Sequence, residues 1–183
     1  DTISALYLEE KLYSASKKNQ IPTLRKNHLH IDLEKMVHGK YLAQNFGLFV
    51  NLSGKENPLE KCLKLVDLFY EEVERNKDLI APALNVADIK ENEKLGKISG
   101  ILTIEEGGVT RGNLSHLRNF YRLGVRMLTL TWNYENEIGY PSINSKEIKA
   151  GQEEEVADVQ TSNQVGLKKF GIEFIREMER LGM

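Results

Sequence analysis

Short, continuous apolar runs that alternate with longer helical patterns predict a parallel α/β fold. Leu42–Leu52 (LAQNFGLFVNL), Ile98–Ile104 (ISGILTI) and Val125–Trp132 (VRMLTLTW) have strand length and are apolar along much of that length. Strands covered by helices on both faces read this way, whereas a half-solvated antiparallel sheet alternates. No GxGxxG or GxxxxGK[ST] follows a strand, so open nucleotide-binding sheets lose weight and a (β/α)8 barrel is the expected architecture. A closed barrel typically takes about 250 residues. With 183 residues, and a chain that stops where the next strand should begin, the expectation is one domain over 1–183 forming about the first half of such a barrel.

The elements follow in order. After Leu42–Leu52, Asn57-Pro58 reads as an N-cap followed by proline in the first helical turn, with Glu60 placed to complete a capping box. Leu59, Cys62, Leu63, Val66, Phe69, Tyr70 and Val73 then share one helical face, which makes Cys62 a small apolar residue of the buried stripe. Ile98–Ile104 ends in Glu105-Glu106-Gly107-Gly108. Asn113 or Ser115 caps the next helix, in which Leu114, Leu117, Phe120 and Tyr121 share a face and Gly124 fits the position just past the end. Val125–Trp132 is the third clear strand. The acidic stretch Gln152–Asp158 reads as a solvated loop. Leu167, Phe170, Phe174, Ile175, Met178 and Leu181 mark a final helix that stops at Gly182.

Composition narrows the function classes. Lys and Arg number 25 against 27 Asp and Glu, a formal net charge of −2, which removes the basic footprint of a general nucleic-acid binder. With 40% hydrophobic and 28% charged residues the chain can bury a core. A single cysteine, Cys62, rules out an internal disulfide framework, makes a zinc ribbon implausible, and sets the cytoplasm as the default location. No membrane segment is visible, since no apolar run approaches the roughly 18 to 20 residues of a span. The sequence opens at Asp1 without an initiator Met, so a preceding signal segment or anchor stays open.

Three features can carry chemistry. Glu105-Glu106-Gly107-Gly108 lies at the carboxyl end of a strand, where an acidic residue can bind a metal or act on substrate, and its glycines permit close approach of a ligand. The alternative is a polar strand terminus with a glycine turn. In His28-Leu29-His30-Ile31-Asp32, alternate residues of a strand would converge on a metal. The flanking Arg25, Lys26, Asn27, Glu34 and Lys35 favour a loop with surface histidines instead. Thr129–Asn136 (TLTWNYEN) suits a substrate wall beyond a strand end, or ordinary packing for Trp132. His38 and His116 are isolated and read as non-functional.

Taken together, these segments resemble the renal or membrane dipeptidase family, zinc peptidases built on a (β/α)8 barrel. Asp1-Thr2-Ile3 looks like the end of the family's D-x-H-x-D-T segment. His30-Ile31-Asp32-Leu33, Gly39 and Gln44–Phe49 look like its H-x-D-L…G…Q-F-F region. Glu106-Gly107-Gly108 matches its EGG motif, Leu117–Asn133 the helix and strand that follow, and Gly166–Gly182 its G-L-x-x-F-G…E-x-N-R-L-G helix. The resemblance implies hydrolysis of small dipeptides by two Zn2+ ions per complete protein, with a bridging hydroxide as nucleophile. It makes Glu106 the catalytic carboxylate shared by both metals and Asp1 a ligand of the more buried one. The histidine of the first metal-binding segment would precede Asp1. Two further histidines, a substrate-binding Arg and a proton-handling Asp would follow Met183 on the C-terminal strands. His28, His30 and Asp32 align outside the metal site. Trp132 stands where some members carry a substrate-contacting His, so Trp132 and Asn133 become substrate-binding candidates. A homodimer is compatible with this reading. The alternatives are a non-catalytic barrel serving as a binding scaffold, and a cyclic-amide hydrolase that uses His28 and His30.

Overall fold

The computed structural model describes residues 2–16, 22–142 and 166–183. Its centre is a parallel sheet. Strand β1 (Ala43–Phe49) pairs along its whole length with β3 (Ile98–Glu105), from Ala43↔Ser99 to Phe49↔Glu105. The other edge of β3 is shared: β2 (Ile80–Pro82) takes its start and β4 (Met127–Thr129) its end, the latter from Thr103↔Met127 to Glu105↔Thr129. All three pairings are parallel, as the continuous apolar runs predict.

The strands are shorter than those runs. Val125–Trp132 contributes only Met127–Thr129, because the backbone beyond turns to other partners: the Leu130 carbonyl accepts from the Asn136 amide at 2.8 Å and the Trp132 N–H donates to Glu106 at 3.2 Å. Strand β2 escapes sequence reading, being three residues long and ending in proline.

Helix α1 (Thr2–Ser16) contacts β1; α2 (Leu33–His38) is capped by Asp32; α3 (Pro58–Arg75) covers the sheet. Helix α3 is capped as expected by Asn57, whose side chain accepts from the Leu59 N–H at 3.0 Å and the Glu60 N–H at 3.4 Å, and has Pro58 in its first turn. Cys62, Leu65, Val66, Phe69 and Val73 are its buried face, while Leu63, expected there, is 41% exposed. Burial pushes the Cys62 thiol up to about 12, so it packs as an apolar group. Phe69 meets Phe46 at a centroid distance of 5.4 Å. It also lies over Gly100, where a Cβ would stand 3.2 Å from its ring, so a larger residue there would push the ring back by a few tenths of an ångström. Burying a side chain of this size is worth about 1.5–3 kcal/mol.

The remaining elements close one side of the sheet. Helix α4 (Val86–Lys94) is capped by Asn85, and α5 (Leu114–Arg122) by Asn113, the first of the two expected caps. A short antiparallel pair joins β5 (Gly139–Tyr140) to β6 (Gly166–Leu167). Leu167 therefore belongs to β6 and not to the final helix, α6 (Lys169–Leu181), which ends at Gly182 with φ +77°. Leu117, Ile138 and Phe174 form a second small core between α5 and α6. The acidic stretch Gln152–Asp158 lies outside the described residues.

Candidate metal and substrate site at the carboxyl end of the sheet

Glu105 ends β3, and Glu106 follows it into different surroundings. Glu106 leaves the strand at φ +134°, a conformation that residues with a side chain rarely adopt, and begins a 3-10 turn over Gly107–Thr110. Its side chain is fully buried. Oε1 accepts from the Gly108 N–H at 2.9 Å and from the Asn136 Nδ2–H at 2.7 Å, and Oε2 accepts from the Trp132 N–H at 3.2 Å. Burial raises its pKa above the usual carboxylate range. The three N–H donors pull it back only in part, and nearby Glu137 pushes the same way as burial.

Gly107 and Gly108 serve the chain's own packing. A Cβ at Gly107 would lie 2.7 Å from the Leu130 carbonyl oxygen and from Ile138, and one at Gly108 would lie 2.5 Å from Leu52. The close approach expected for a ligand is thus made by neighbouring loops.

Asn136 holds the site together, and sequence reading gave it no role beyond membership of a strand-end segment. It is 6% exposed. Its amide donates to both Glu106 and the Leu130 carbonyl, and its Oδ1 accepts from the Ile138 and Gly139 N–H groups at 2.8 and 3.2 Å. Its own carbonyl accepts from Lys168 Nζ at 2.7 Å, which ties α6 to the site. The only signal in the sequence is an Asn two residues before Ile-Gly, the pattern of an Asx turn.

Trp132 stands at the rim, 36% exposed, with its ring edge-on to Phe49 at 4.7 Å and tilted against Tyr134 at 5.9 Å. Asn133 beside it is half-buried. Asp1 lies outside the described residues. His28, His30 and Asp32 do not come together: His28 Nε2 meets Glu9 at 2.8 Å, His30 is exposed, and buried Asp32 caps α2 through the Lys35 N–H at 2.8 Å. The expected surface loop is present, and the convergent pair required by a cyclic-amide hydrolase is not. His116 contacts the Thr110 carbonyl at 2.8 Å. Among the described residues no group of three or more His, Cys, Asp or Glu is arranged to hold a metal ion.

Glu106 nevertheless fits a cation on charge. It is a buried carboxylate whose charge is met by N–H dipoles, and no Lys, Arg or His among the described residues contributes to its electrostatics. A carboxylate offers about four acceptor positions. Both at Oε1 are taken and one at Oε2 is open, so one metal contact is available as it stands. A shared role between two ions requires Gly108 or Asn136 to withdraw.

A parallel α/β sheet with a buried carboxylate at its carboxyl end defines the class of fold, and comparison with known proteins specifies the family. The chain belongs to the membrane dipeptidase family, peptidase family M19, whose model matches residues 4–183. It is 25% identical over 165 residues to dipeptidase verJ of Clonostachys rogersoniana and 27% identical over 162 residues to dipeptidase aclJ of Aspergillus oryzae. Each alignment covers 84% of this chain, but the chain spans only 39% and 35% of those two proteins. A metallopeptidase from Rhodobacter sphaeroides, solved with a phosphinate mimic of the dipeptide L-Ala-D-Ala, shares the fold. Its TM-score is 0.70 at 17% identity, covering 99% of this chain and 54% of that one.

Proposed function

We propose that the protein to which this chain belongs hydrolyses dipeptides at a zinc centre, with Glu106 as one of the metal ligands. The observation that carries this reading is a carboxylate fully buried at the carboxyl end of a parallel sheet with no cationic side chain against it among the described residues. The finer reading is a closed barrel, with Asp1 as a second ligand, two zinc ions sharing Glu106, and the remaining ligands on strands outside this sequence. Zinc would supply polarisation of the scissile carbonyl and a water acidic enough to ionise near neutral pH.

The chain's own residues supply position. Asn136 and the Gly108 and Trp132 N–H groups fix the Glu106 carboxylate before any ligand arrives, leaving Oε2 open to a first ion, while sharing with a second would require Gly108 or Asn136 to withdraw. Gly107 and Gly108 let the loops bearing Leu52, Leu130 and Ile138 close over it. Trp132 offers an aromatic wall at the rim and Asn133 an amide, which together bound the substrate; Trp132 transfers no proton at neutral pH.

The test is zinc content per chain on the full-length protein, paired with dipeptide hydrolysis before and after chelation. Bound zinc and chelator-sensitive cleavage, both lost in Glu106→Gln, are the expected outcome. Zinc and full activity retained in Glu106→Ala would refute the reading. Absence of both zinc and cleavage in the wild type would make a non-catalytic scaffold the better description.

A further inference from the structure

Lys168 breaks a rule that the neighbouring helices keep. Helices α2 to α5 each begin on an Asp or Asn side chain that accepts from a first-turn N–H. Helix α6 begins on Lys168, whose side chain caps nothing and brings a positive charge to the positive end of the helix. Its ammonium goes instead to the turn that carries Asn136. Nζ donates to the Asn136 carbonyl at 2.7 Å, pairs with Glu135 at 2.6 Å and lies 4.8 Å from the centre of the Tyr140 ring. The Lys168 backbone N–H donates to the Ile138 carbonyl at 2.9 Å, and β6 pairs with β5 at the end of the same turn. A Cβ at Gly171 would collide with the Ile138 carbonyl, so the first turn of α6 sits directly on this segment. Residues 135–140 are thus gripped from outside by Lys168, and on the inside their Asn136 amide holds Glu106 Oε1 at 2.7 Å.

We propose that Lys168 is a positioning residue for Glu106, bracing the Asn136 turn so that the carboxylate is held where a zinc ion can take it. The inference rests on the reading of Glu106 as a zinc ligand. Asn136 is pinned within its own turn, since its Oδ1 accepts from the Ile138 and Gly139 N–H groups. It can leave Glu106 readily only if the turn shifts as a body, and Lys168 opposes that shift with its ammonium and its backbone N–H together. The action runs through geometry and not through charge on Glu106: Glu137 is among the groups that shift that carboxyl, and Lys168 is not. Groups that orient a metal ligand set metal affinity without touching the metal. A helix start that gives up its cap for such a contact is a local preference overridden by a need elsewhere.

The experiment measures zinc affinity of the full-length protein by competition with a chelator, in wild type, Lys168→Met and Lys168→Thr. Lys168→Met is expected to weaken zinc binding about 10-fold, the lower end of the range for groups that orient a ligand. Lys168→Thr supplies the missing cap, so its thermal stability should hold while its zinc binding weakens as in Lys168→Met. Adding Lys168→Met to Asn136→Ser should weaken binding no further than Asn136→Ser alone, because the brace acts through Asn136. If Asn136→Ser does not fold, the two single Lys168 variants decide. Unchanged affinity in Lys168→Met, a parallel loss of stability and zinc binding in Lys168→Thr, or losses that simply add in the double variant would each overturn the proposal. If the wild type binds no zinc, the zinc-ligand reading fails on its own, and hydrogen exchange in the metal-free protein decides the positioning role. The reporter is the Trp132 N–H, which donates to Glu106. Faster exchange there in Lys168→Met keeps the role, and equal exchange ends it.

Discussion

At Glu106 burial and hydrogen bonding act in opposite directions, and burial is the larger. A carboxyl whose folded pKa is raised contributes stability that is fully present below its ordinary value of 4.5 and is lost as pH rises through the folded value. In the presence of a chelator, urea denaturation should therefore show stability declining from about pH 4.5 upward from this group, and Glu106→Gln should flatten that part of the curve. A slope that survives the substitution would assign it elsewhere. Saturating zinc should reverse the effect, since a bound cation favours the ionised form. At this scale the sequence is informative about chemistry and silent about aim. Glu106 is visible as an acid before two glycines, but its φ of +134° and its separation from Glu105 depend on partners some 30 residues away. Asn136 has no distinguishing mark, because its role arises only when the loop after β4 folds back.

At the scale of elements, local signals held where they act through a cap or a face. Asn57, Asn113, Gly124 and Gly182 all terminate helices as read, Gly124 with φ +98°. The elements missed were α1, α2, α4, β2, β5 and β6: α1 and α4 carry a weak amphipathic pattern, and the others are too short to show a period. One inter-helix contact lends itself to measurement. Arg180 and Arg118 hold the Glu177 carboxyl down to about 2, joining α5 to α6 through Arg118 at 2.9 Å. A lowered folded pKa contributes stability that is present above 4.5 and lost as pH falls toward 2. Glu177→Gln should reduce the acid-side loss of stability between those values and leave the neutral-to-alkaline limb unchanged. Identical acid limbs in the two proteins would mean that the pair is screened by solvent.

For the whole molecule, the fold class was legible because continuous apolar runs report parallel strands directly. Barrel closure was not, because pairing of the outer edges depends on partners that no local pattern encodes. Among the described residues, β1 and β4 pair only with β3, so each presents one edge that no other strand covers. Residues 1–183 produced alone should accordingly self-associate, read as concentration-dependent mass by light scattering after gel filtration. A monodisperse, cooperatively unfolding monomer would show that those edges are protected.

The link from Glu106 through Asn136 to Lys168 also orders events during synthesis. A chain leaves the ribosome N-terminus first, so β3 and its glutamate emerge well before the residues that aim that glutamate. The nascent sheet can gather its core around Phe46, Phe69 and Leu102 at once, yet the carboxylate stays water-solvated until the loop at Asn136 and the start of α6 have both been made. The site is thus finished last in a region whose scaffold forms early, and any metal that needs Glu106 held in place must arrive after that point.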